Sequence, residues 1–538
     1  MNRTLETPIL IVGGGPVGLA LGLDLSWRGV ECALIERTDG VIENPKTGHI
    51  AIRTMEFCRR WGIDQRVRHC GFPLDYELSM VFCTSMTGHL LAKHFYPSMG
   101  EDRPPPASPE KKQRGPQMVF DPILAAALRE RGNASVRHRC EFLEFQEQGD
   151  HVVSRARDLG TGEELTIVSQ YLAACDGAGS GIRHALGIGM QGDATLNNSI
   201  AIYIRSPGLV RRHDKGQAER YIFIGPEGTW GNLTVVDGDE LWRLTVMGTQ
   251  DRIARENFDA EAWVRRCLGS GDIPFEVLSA VPWRRSRLVA ERYSERRVFL
   301  VGDSAHTMSP TGGFGMNTGM ADAVDIGWKL EAALAGWAGP ELLASYDAER
   351  RPIGWRNVNA AADNFHKLMS AADCARILED SAQAEAVRRR VGEQVREATR
   401  KEWECDGVVL GYRYEGSPVI VPDGTPPLDD DLSIYEPTAR PGHRAPHAWL
   451  PDGRSTLDLF GKGFVLLRFD RALDPAPLQR AAEQRHVPLA LVDIEDAEIA
   501  RLYERKLVLV RPEGHGCWRA DSVPQDPERI INIVRGAG

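Results

Sequence analysis

Long hydrophobic runs are missing from this chain of 538 residues. Its first apolar segment, Pro8–Val12, ends at a run of glycines and is too short for a signal-peptide core or a membrane span. Cysteine is scarce: the ten cysteines form no C-x-x-C pair and no zinc-ligand spacing, which excludes a disulfide scaffold. We therefore expect a cytoplasmic protein with no membrane span and no metal site.

Positive charge is not in excess either. The net charge is −10, and no Lys/Arg block is interleaved with aromatic residues, which argues against nucleic acid as a partner. Hydrophobic residues make up 42% of the chain. That share is enough for two or three domains with substantial cores.

The N-terminal sequence alternates strand and helix patterns. We predict a strand at Pro8–Val12, a helix at Pro16–Arg28 and a strand at Val30–Glu36, which together indicate a parallel sheet. Residues 96–116 are rich in Pro, Lys and Glu and predict a surface excursion. A helix is predicted over Gln117–Arg131.

A different pattern begins near residue 190. Residues 200–248 alternate apolar and polar side chains between turns, as in an antiparallel sheet with one buried face. The strand-and-turn pattern of the N-terminal part resumes at Val298, so the β-rich part is predicted to be an insertion. Residues 319–338 and 341–402 are predicted to be helical.

The glycine-rich turn Gly13–Gly18 satisfies G-x-G-x-x-G, with a strand before it, a helix after it and the acid Glu36 at the end of the next strand. Gly13 allows the tight turn, Gly15 allows a pyrophosphate to approach, and Gly18 allows close packing of helix and strand. Glu36 can accept hydrogen bonds from a ribose. The turn alone does not distinguish NAD(P) from FAD, and a turn that binds nothing is the alternative.

Two later blocks also follow short strands. Tyr171–Asp176 is followed by AGSGIR, but Ile182 stands where a third glycine would be, so we reject a separate NAD site. The alternative there is a turn whose geometry Asp176 and Arg183 hold. The other block, RVFLVGDSAHTMSPTGGFGMNTGM, places a cluster of four glycines after a strand: Gly312, Gly313, Gly315 and Gly319.

These three blocks, in this order, resemble the class A flavoprotein monooxygenases, the aromatic-hydroxylase family. The resemblance covers roughly residues 8–360. It implies that NADPH or NADH reduces FAD, and that O2 then forms a flavin C4a-hydroperoxide that hydroxylates a phenolic or other aromatic substrate. A tailoring or Baeyer–Villiger-like oxygenase acting on a polycyclic ketone or quinone is one alternative. A non-catalytic flavin-binding interaction protein is another.

The resemblance also implies which residues bind the cofactor. Glu36 and Arg37 would contact the adenosine end, Asp303 a ribityl hydroxyl, and Pro310 the flavin ring. Ser309 stands where family members often have a second proline. The implied cofactor-binding residues are Gly13, Gly15, Pro16, Val17, Gly18, Glu36, Arg37, Arg53, Gln117, Asp176, Asp303, Pro310, Gly313, Gly315, Met316 and Asn317.

The substrate is expected beneath the β-rich insertion, facing the flavin. Aromatic residues recur along these strands, although at alternate strand positions they also suit a core: Tyr203, Tyr221, Trp230 and Trp242. His49 and His213 are candidates to share a phenolic proton, together with Tyr203 and Tyr221. No residue is assigned a firm catalytic role.

The C-terminal sequence resembles the thioredoxin-like extension of phenol-type hydroxylases. Cys517 has no C-x-x-C partner, which disfavours disulfide exchange and leaves a structural or homodimer-contacting role. The fold class is therefore α/β, with a Rossmann-like FAD-binding domain, an inserted antiparallel-β substrate domain and a thioredoxin-like domain. The predicted boundaries are 1–190 with 275–400 for FAD, 191–274 for the substrate domain, 401–450 for a connection and 451–538 for the C-terminal domain.

Overall fold

The computed structural model describes residues 3–44, 46, 48–248 and 258–538. Small parts of two predicted units, residues 1–2, 45 and 47 and residues 249–257, lie outside the described residues. The chain forms a mixed α/β structure with several sheets. The strands are β1 (Arg3–Val12), β2 (Cys32–Ile35), β3 (His49–Ile50), β4 (Met80–Cys83), β5 (Leu90–His94), β6 (Gln113–Arg114), β7 (Ala134–Arg137), β8 (Cys140–Gln148), β9 (His151–Asp158), β10 (Glu164–Ala174), β11 (Met190–Arg205), β12 (Arg220–Gly225), β13 (Gly228–Val235), β14 (Leu241–Met247), β15 (Glu276–Ala290), β16 (Ser294–Glu295), β17 (Val298–Leu300), β18 (His306–Thr307), β19 (Phe464–Arg468), β20 (Leu489–Asp493), β21 (Leu507–Val510) and β22 (Gly516–Ala520). The helices are α1 (Pro16–Arg28), α2 (Ile52–Trp61), α3 (Asp64–Arg68), α4 (Gln117–Arg131), α5 (Gly181–Ala185), α6 (Ala260–Leu268), α7 (Phe314–Leu334), α8 (Pro340–Leu368), α9 (Ala382–Trp403), α10 (Asp406–Leu410), α11 (Ala476–Glu483), α12 (Ala497–Tyr503) and α13 (Pro527–Val534).

The first sheet is parallel at its centre, as predicted. Its strands lie in the order β16-β17-β10-β1-β2-β7, and β9 and β8 extend it from β10 in antiparallel fashion. β1 begins earlier than the predicted Pro8–Val12 because its first residues also pair with β10. Because parallel strands end at the same edge, the residues that follow β1, β2, β10 and β17 meet there.

Two predicted helices are confirmed at their stated bounds, α1 and α4. Helix α1 begins with Pro16, whose fixed φ suits a first helical position. It ends at Gly29, which has a φ of 90° and donates its N–H to carbonyls of the last turn. Helix α1 lies against α7 and α4 and buries its leucines in the main hydrophobic core.

The second sheet has the order β18-β15-β11-β14-β13-β12-β4-β5. All of its pairs are antiparallel except β12 with β4. The alternating segment predicted at 200–248 supplies four of its strands, and β4 and β5 join it from an earlier part of the chain. Trp230 and Trp242 are buried in the core of this sheet.

The C-terminal part contains a third sheet with the order β20-β19-β21-β22. Strand β19 is parallel to β20 and antiparallel to β21. The segment before it is well packed, because Tyr412, Tyr414 and Arg444 are buried. In the described part of the chain, every helix is too short or too polar to cross a lipid bilayer.

The prediction of a surface excursion at 96–116 is wrong for its second half. Ser108, Glu110 and Arg114 are 2%, 0% and 6% exposed. The Glu110 carboxylate accepts a hydrogen bond from Arg68, and Arg114 donates to Glu219 at 3.0 Å. These charges are compensated by partners far away in the sequence, which the local composition does not reveal.

Candidate functional site

A large cavity opens between the carboxyl edge of the first sheet and one face of the second. Its volume is about 1630 Å³, larger than a cavity of roughly 300–1,000 Å³ typical for one drug-sized ligand. The turn after β1, the end of β2, the turn after β17 and the loop before α7 line one side. Strands β12, β13 and β14 contribute residues to the other side.

The turn between β1 and α1 requires glycine at specific positions. Gly13 has a φ of 112°, and a Cβ on it would lie 2.2 Å from the carbonyl oxygen of Cys175. A Cβ on Gly18 would lie 2.0 Å from the Gly13 carbonyl oxygen. A Cβ on Gly15, in contrast, would meet no protein atom within 4 Å. Gly13 and Gly18 therefore shape the turn, and Gly15 leaves space beside it.

Glu36 lies at the end of β2, beside this turn. Its carboxylate accepts hydrogen bonds from the N–H of Gly14 at 2.7 Å and from the N–H and hydroxyl of Thr38, each at 2.8 Å. Partial burial acts to raise the pKa of Glu36, but these hydrogen bonds outweigh it and lower the pKa. The site thus presents an ionised, oriented acceptor next to the helix N-terminus.

Asp303 occupies a short turn after β17. Its neighbour Gly302 has a φ of 67°, and the Asp303 side chain is exposed to the cavity. Desolvation raises the pKa of Asp303, while the charges of His306 and Lys46 act in the opposite direction. The group can therefore accept or share a hydrogen bond from a bound hydroxyl.

A buried network holds this turn in place. Asp322 on α7 accepts a hydrogen bond from the Gly302 N–H at 3.3 Å and lies 2.7 Å from His306 Nε2. Its other oxygen accepts from Arg350 Nε at 2.7 Å. His306 is fully buried in this hydrogen-bonded network, which gives it a structural role.

A buried arginine, Arg285, holds the loop before α7 in place. Arg285 Nη1 donates to the hydroxyl of Ser309 at 2.7 Å and to that of Thr311 at 3.2 Å. Gly312 and Gly313 have φ values of 90° and 68°. Ser309, which stands where family members often have a second proline, therefore has a hydrogen-bond partner. The buried Arg285 guanidinium also holds the loop that contains Pro310.

Most of the predicted site residues meet at the cavity. The lining includes His49 and the following cofactor candidates: Gly13, Gly15, Pro16, Val17, Glu36, Arg37, Gln117, Asp176, Asp303, Pro310, Gly313, Gly315 and Met316. Burial lowers the pKa of His49 to about 4, so its ring is neutral at neutral pH.

Other predicted residues have partners within the protein. Arg53 donates to Glu56 at 2.7 Å and to the Glu513 carbonyl at 2.8 Å. The Asn317 side chain donates to the carbonyls of Gly313 and His49 and accepts from the Ala51 N–H. Neither residue belongs to the lining found among the described residues, and Asn317 braces that lining through Gly313, His49 and Ala51.

The three remaining catalytic candidates lie in the second sheet and its core. The Tyr221 hydroxyl donates to the Gly216 carbonyl at 2.5 Å, and the His213 ring packs edge-on against Tyr221 at 5.4 Å. Tyr203 is 8% exposed on β11. In the described part of the chain, none of the three reaches the cavity lining.

Sequence reasoning missed the charged residues on the second-sheet side of the cavity. They are Arg114, Glu219, Arg220, Arg243 and Glu402. A local signal exists for two of them, because Glu219 and Arg220 stand directly before the apolar strand segment YIFI. Glu402 carries no such signal. It reaches the site from the end of α9 and accepts hydrogen bonds from Arg220 and from the Gly312 N–H.

The residues around the first-sheet side fit a flavin dinucleotide. The N-terminus of α1 offers free N–H groups and partial positive charge to a pyrophosphate, and Gly15 leaves room for it. Glu36 suits a ribose hydroxyl. Asp303 and the loop before α7 line the same cavity.

Two family models match the chain. One described as FAD binding domain matches residues 6–361, and one described as aromatic-ring hydroxylase, C-terminal, matches residues 438–535. The 4-methyl-5-nitrocatechol 5-monooxygenase of a Burkholderia species is 30% identical over 99% of this chain and 98% of that protein.

Solved structures are similar over the whole length. RebC soaked with chromopyrrolic acid, with bound 7-carboxy-K252c, has a TM-score of 0.93 and 39% identity, with 100% of both chains covered. The flavin-dependent monooxygenase PieE, in complex with FAD and substrate, has a TM-score of 0.89 and 30% identity, and the match covers 99% of this chain and 100% of that one.

Proposed function

The chain belongs to the family of FAD-dependent aromatic-ring monooxygenases. We propose that it hydroxylates an aromatic ring held between the loop before α7 and the second sheet. FAD is the cofactor, and NAD(P)H and O2 are the co-substrates. Bound FAD supplies the transfer of electrons from NAD(P)H to O2. The protein supplies binding, orientation and exclusion of water.

The single observation that carries the proposed site is the continuity of the cavity. The same space is lined by Gly15, Glu36, Asp303 and Gly313 on the first-sheet side and by Arg220 of the second sheet. A cofactor lying along the first-sheet side would therefore present its ring end to a molecule beside the second sheet.

We assign the individual cofactor contacts accordingly. The backbone N–H of Gly15 and the N–H groups that follow Pro16 at the start of α1 hold the pyrophosphate. Glu36 accepts a hydrogen bond from the adenosine ribose. Asp303 accepts from the ribityl chain. The N-terminus of α7, beginning at Phe314, directs its positive end toward the flavin edge where negative charge collects.

The domain organisation is part of the proposal. Residues 1–190 and 275–400 form a Rossmann-like FAD-binding unit, 191–274 a β-rich substrate unit, 401–450 a connection and 451–538 a thioredoxin-like unit. The second sheet also takes strands β4, β5, β15 and β18 from the FAD-binding ranges. The β20-β19-β21-β22 order with flanking helices supports the thioredoxin-like assignment. The homodimer stays a prediction, which light scattering of the purified protein tests.

We also propose a reducing compartment, the cytoplasm. All ten cysteines are free thiols: eight are buried, and Cys70 and Cys175 are half-buried. Free thiols persist where glutathione and thioredoxin keep them reduced. Secretion would expose them to oxidation during folding.

A polycyclic substrate is the second candidate, and two observations favour it. The cavity volume of about 1630 Å³ leaves space beyond a dinucleotide. The similarity to RebC with bound 7-carboxy-K252c extends over the whole chain at 39% identity. A tailoring oxygenase acting on a large fused-ring compound fits the same catalytic apparatus.

A substrate screen tests the function. Purified protein is mixed with NADPH or NADH and with 4-methyl-5-nitrocatechol, simple phenols or chromopyrrolic acid, while nicotinamide oxidation, peroxide release and product mass are followed together. We expect yellow protein and a product that has gained one oxygen atom. Yellow protein that oxidises no nicotinamide with any compound would instead indicate a flavin-binding protein without turnover.

A further inference from the structure

The first turn of α4 lies beside the first turn of α1, at the cavity. A Cβ on Gly22 of α1 would lie 3.1 Å from the Leu128 side chain of α4. Further along both helices, Asn133 Nδ2, just after α4, donates to the Ser26 carbonyl at 3.2 Å. The two helices therefore run in the same direction, and both begin at the carboxyl edge of the first sheet. Gln117, the first residue of α4, lines the cavity there.

The Gln117 side chain is oriented by a carboxylate on the same helix. Gln117 Nε2 donates to Asp121 Oδ2 at 3.0 Å, since positions four residues apart lie on one face of a helix. Both side chains are buried, with exposed fractions of 5% for Gln117 and 4% for Asp121. Because Nε2 is directed at Asp121, the carbonyl oxygen Oε1 is the end of the amide that remains for the cavity.

Asp121 is a buried acid with few compensating contacts. Within the described part of the chain, its carboxylate accepts a hydrogen bond from Gln117 alone, and Oδ1 has no partner. Asp121 itself lies behind Gln117, outside the lining found among the described residues. A buried carboxylate of this kind costs stability, so packing does not account for it. Its one contact, with a residue that faces the cavity, indicates a role in the site.

The charge state of Asp121 decides which end of the Gln117 amide it can hold. An ionised carboxylate only accepts hydrogen bonds, so it pairs with Nε2 and not with Oε1, whereas a protonated carboxyl can pair with either end. Burial raises the pKa of Asp121 to about 7, although the hydrogen bond from Gln117 and the charge of Lys46 act to lower it. Above neutral pH, the ionised form therefore keeps Oε1 toward the cavity.

Resting on the proposed function, we propose that Asp121 is a positioning residue for FAD. It holds the Gln117 carbonyl oxygen toward the cavity, where that oxygen accepts a hydrogen bond from a hydroxyl group of the cofactor. The pyrophosphate is assigned to the start of α1, beside Gln117, and FAD carries hydroxyl groups on both sides of its pyrophosphate. The opposite orientation would present Nε2, a donor that suits a phosphate oxygen instead.

Release of FAD from the holoenzyme tests this inference without turnover. The holoenzyme is diluted, and the rise in flavin fluorescence gives the dissociation constant of FAD. At pH 8, Asp121→Asn should weaken FAD binding about three- to tenfold, the effect of one hydrogen bond, because an asparagine amide can pair with either end of Gln117. The melting temperature in excess FAD should fall by no more than this loss of affinity accounts for.

A double-variant cycle separates positioning from a general structural effect. Gln117→Ala removes the group that Asp121 positions and should weaken FAD binding at least as much as D121N. In Q117A/D121N the second change should add less than about twofold, whereas independent effects would multiply. Glu130→Gln is the matched control on the same helix, because Glu130 is exposed and paired with Arg66. It should bind FAD as the wild type does.

The pH dependence is a readout that a purely structural role would not change. The measured quantity is the FAD dissociation constant of D121N divided by that of the wild type. This ratio should be below about twofold at pH 6, where Asp121 is mostly protonated, and should reach its full value at pH 8, where Asp121 is mostly ionised. Other groups, including Lys46, titrate in both proteins, so their contribution cancels in the ratio.

Three outcomes would overturn the inference. One is FAD binding by D121N at pH 8 that equals or exceeds that of the wild type, which would mean that Gln117 presents Nε2 or is not oriented by Asp121. Another is a double variant in which the two effects multiply, and the third is a ratio that is the same at pH 6 and pH 8. Failure of the proposed function is distinguishable, because a wild type that binds FAD without turnover on any compound still yields these constants.

Discussion

At the scale of single residues, the site depends on charges held by neighbours. Asp303 faces the cavity, but its turn is fixed by Asp322, which also binds His306 and Arg350. Ser309 is fixed by Arg285 in the same way. The residues that face the cavity belong to recognisable sequence motifs. The residues that hold them in place lie on other elements, and no motif identifies them.

Replacing Asp303 tests the flavin-side contact. Asp303→Ala should weaken FAD binding about 10- to 100-fold, as expected for loss of a hydrogen bond to a charged group. Stability should change little, because the side chain faces the cavity and not the core. The measurement is flavin retained after dialysis, with Asp303→Asn as the matched variant that keeps an acceptor oxygen. Full flavin content in Asp303→Ala would contradict the assignment.

At the scale of elements, the turn between β1 and α1 separates two uses of glycine. Gly13 is required by backbone geometry, because its φ is positive and the Cys175 carbonyl lies where a Cβ would be. Gly15 is required only by what binds beside it. The sequence motif contains both glycines and does not distinguish these roles.

A matched pair of variants separates the two roles. Gly13→Ala should lower the free energy of unfolding by about 2 kcal/mol or more, through backbone strain and the clash with Cys175. Gly15→Ala should leave stability within about 0.5 kcal/mol and weaken FAD binding about tenfold, because the added methyl occupies the space for the pyrophosphate. Urea unfolding and flavin titration measure the two effects. The assignment fails if Gly15→Ala binds FAD normally.

At the scale of the whole molecule, a buried ion-pair cluster joins the C-terminal part to the FAD side. Arg444 donates to the Glu56 carboxylate of α2, and Arg53 and Ser108 donate to the same group at 2.7 Å and 2.6 Å. Burial acts to raise the pKa of Glu56, but the charges of Arg444 and Arg53 outweigh it and lower the pKa to about 2.

This cluster predicts a loss of stability in acid. Because the folded pKa of Glu56 lies below its ordinary value of 4.5, its contribution is complete above about pH 5 and disappears as the pH falls toward 2. The contribution at neutral pH is about 3 kcal/mol. Glu56→Gln should therefore be less stable at pH 7 and lose less stability than the wild type between pH 5 and about pH 3.

Urea unfolding followed by tryptophan fluorescence measures this difference at each pH. Glu393→Gln, an exposed position on α9, is the matched control and should follow the wild type. Parallel pH curves for the wild type and Glu56→Gln would show that the carboxylate has no depressed pKa in the folded protein.

The sequence alone determined the mixed α/β architecture, the helices α1 and α4, and the family to which the three ordered motifs point. These features depend on local interactions, because a glycine turn, the strand before it and the helix after it are each specified by a few consecutive residues. The sequence wrongly predicted a surface position for residues 108–114. It gave no sign that Glu402, Arg220 and Arg243 belong to the site, because their positions depend on partners distant in the chain. Only the tertiary structure decided which charges meet, since compensation of a buried charge is a property of contacts and not of neighbours in sequence.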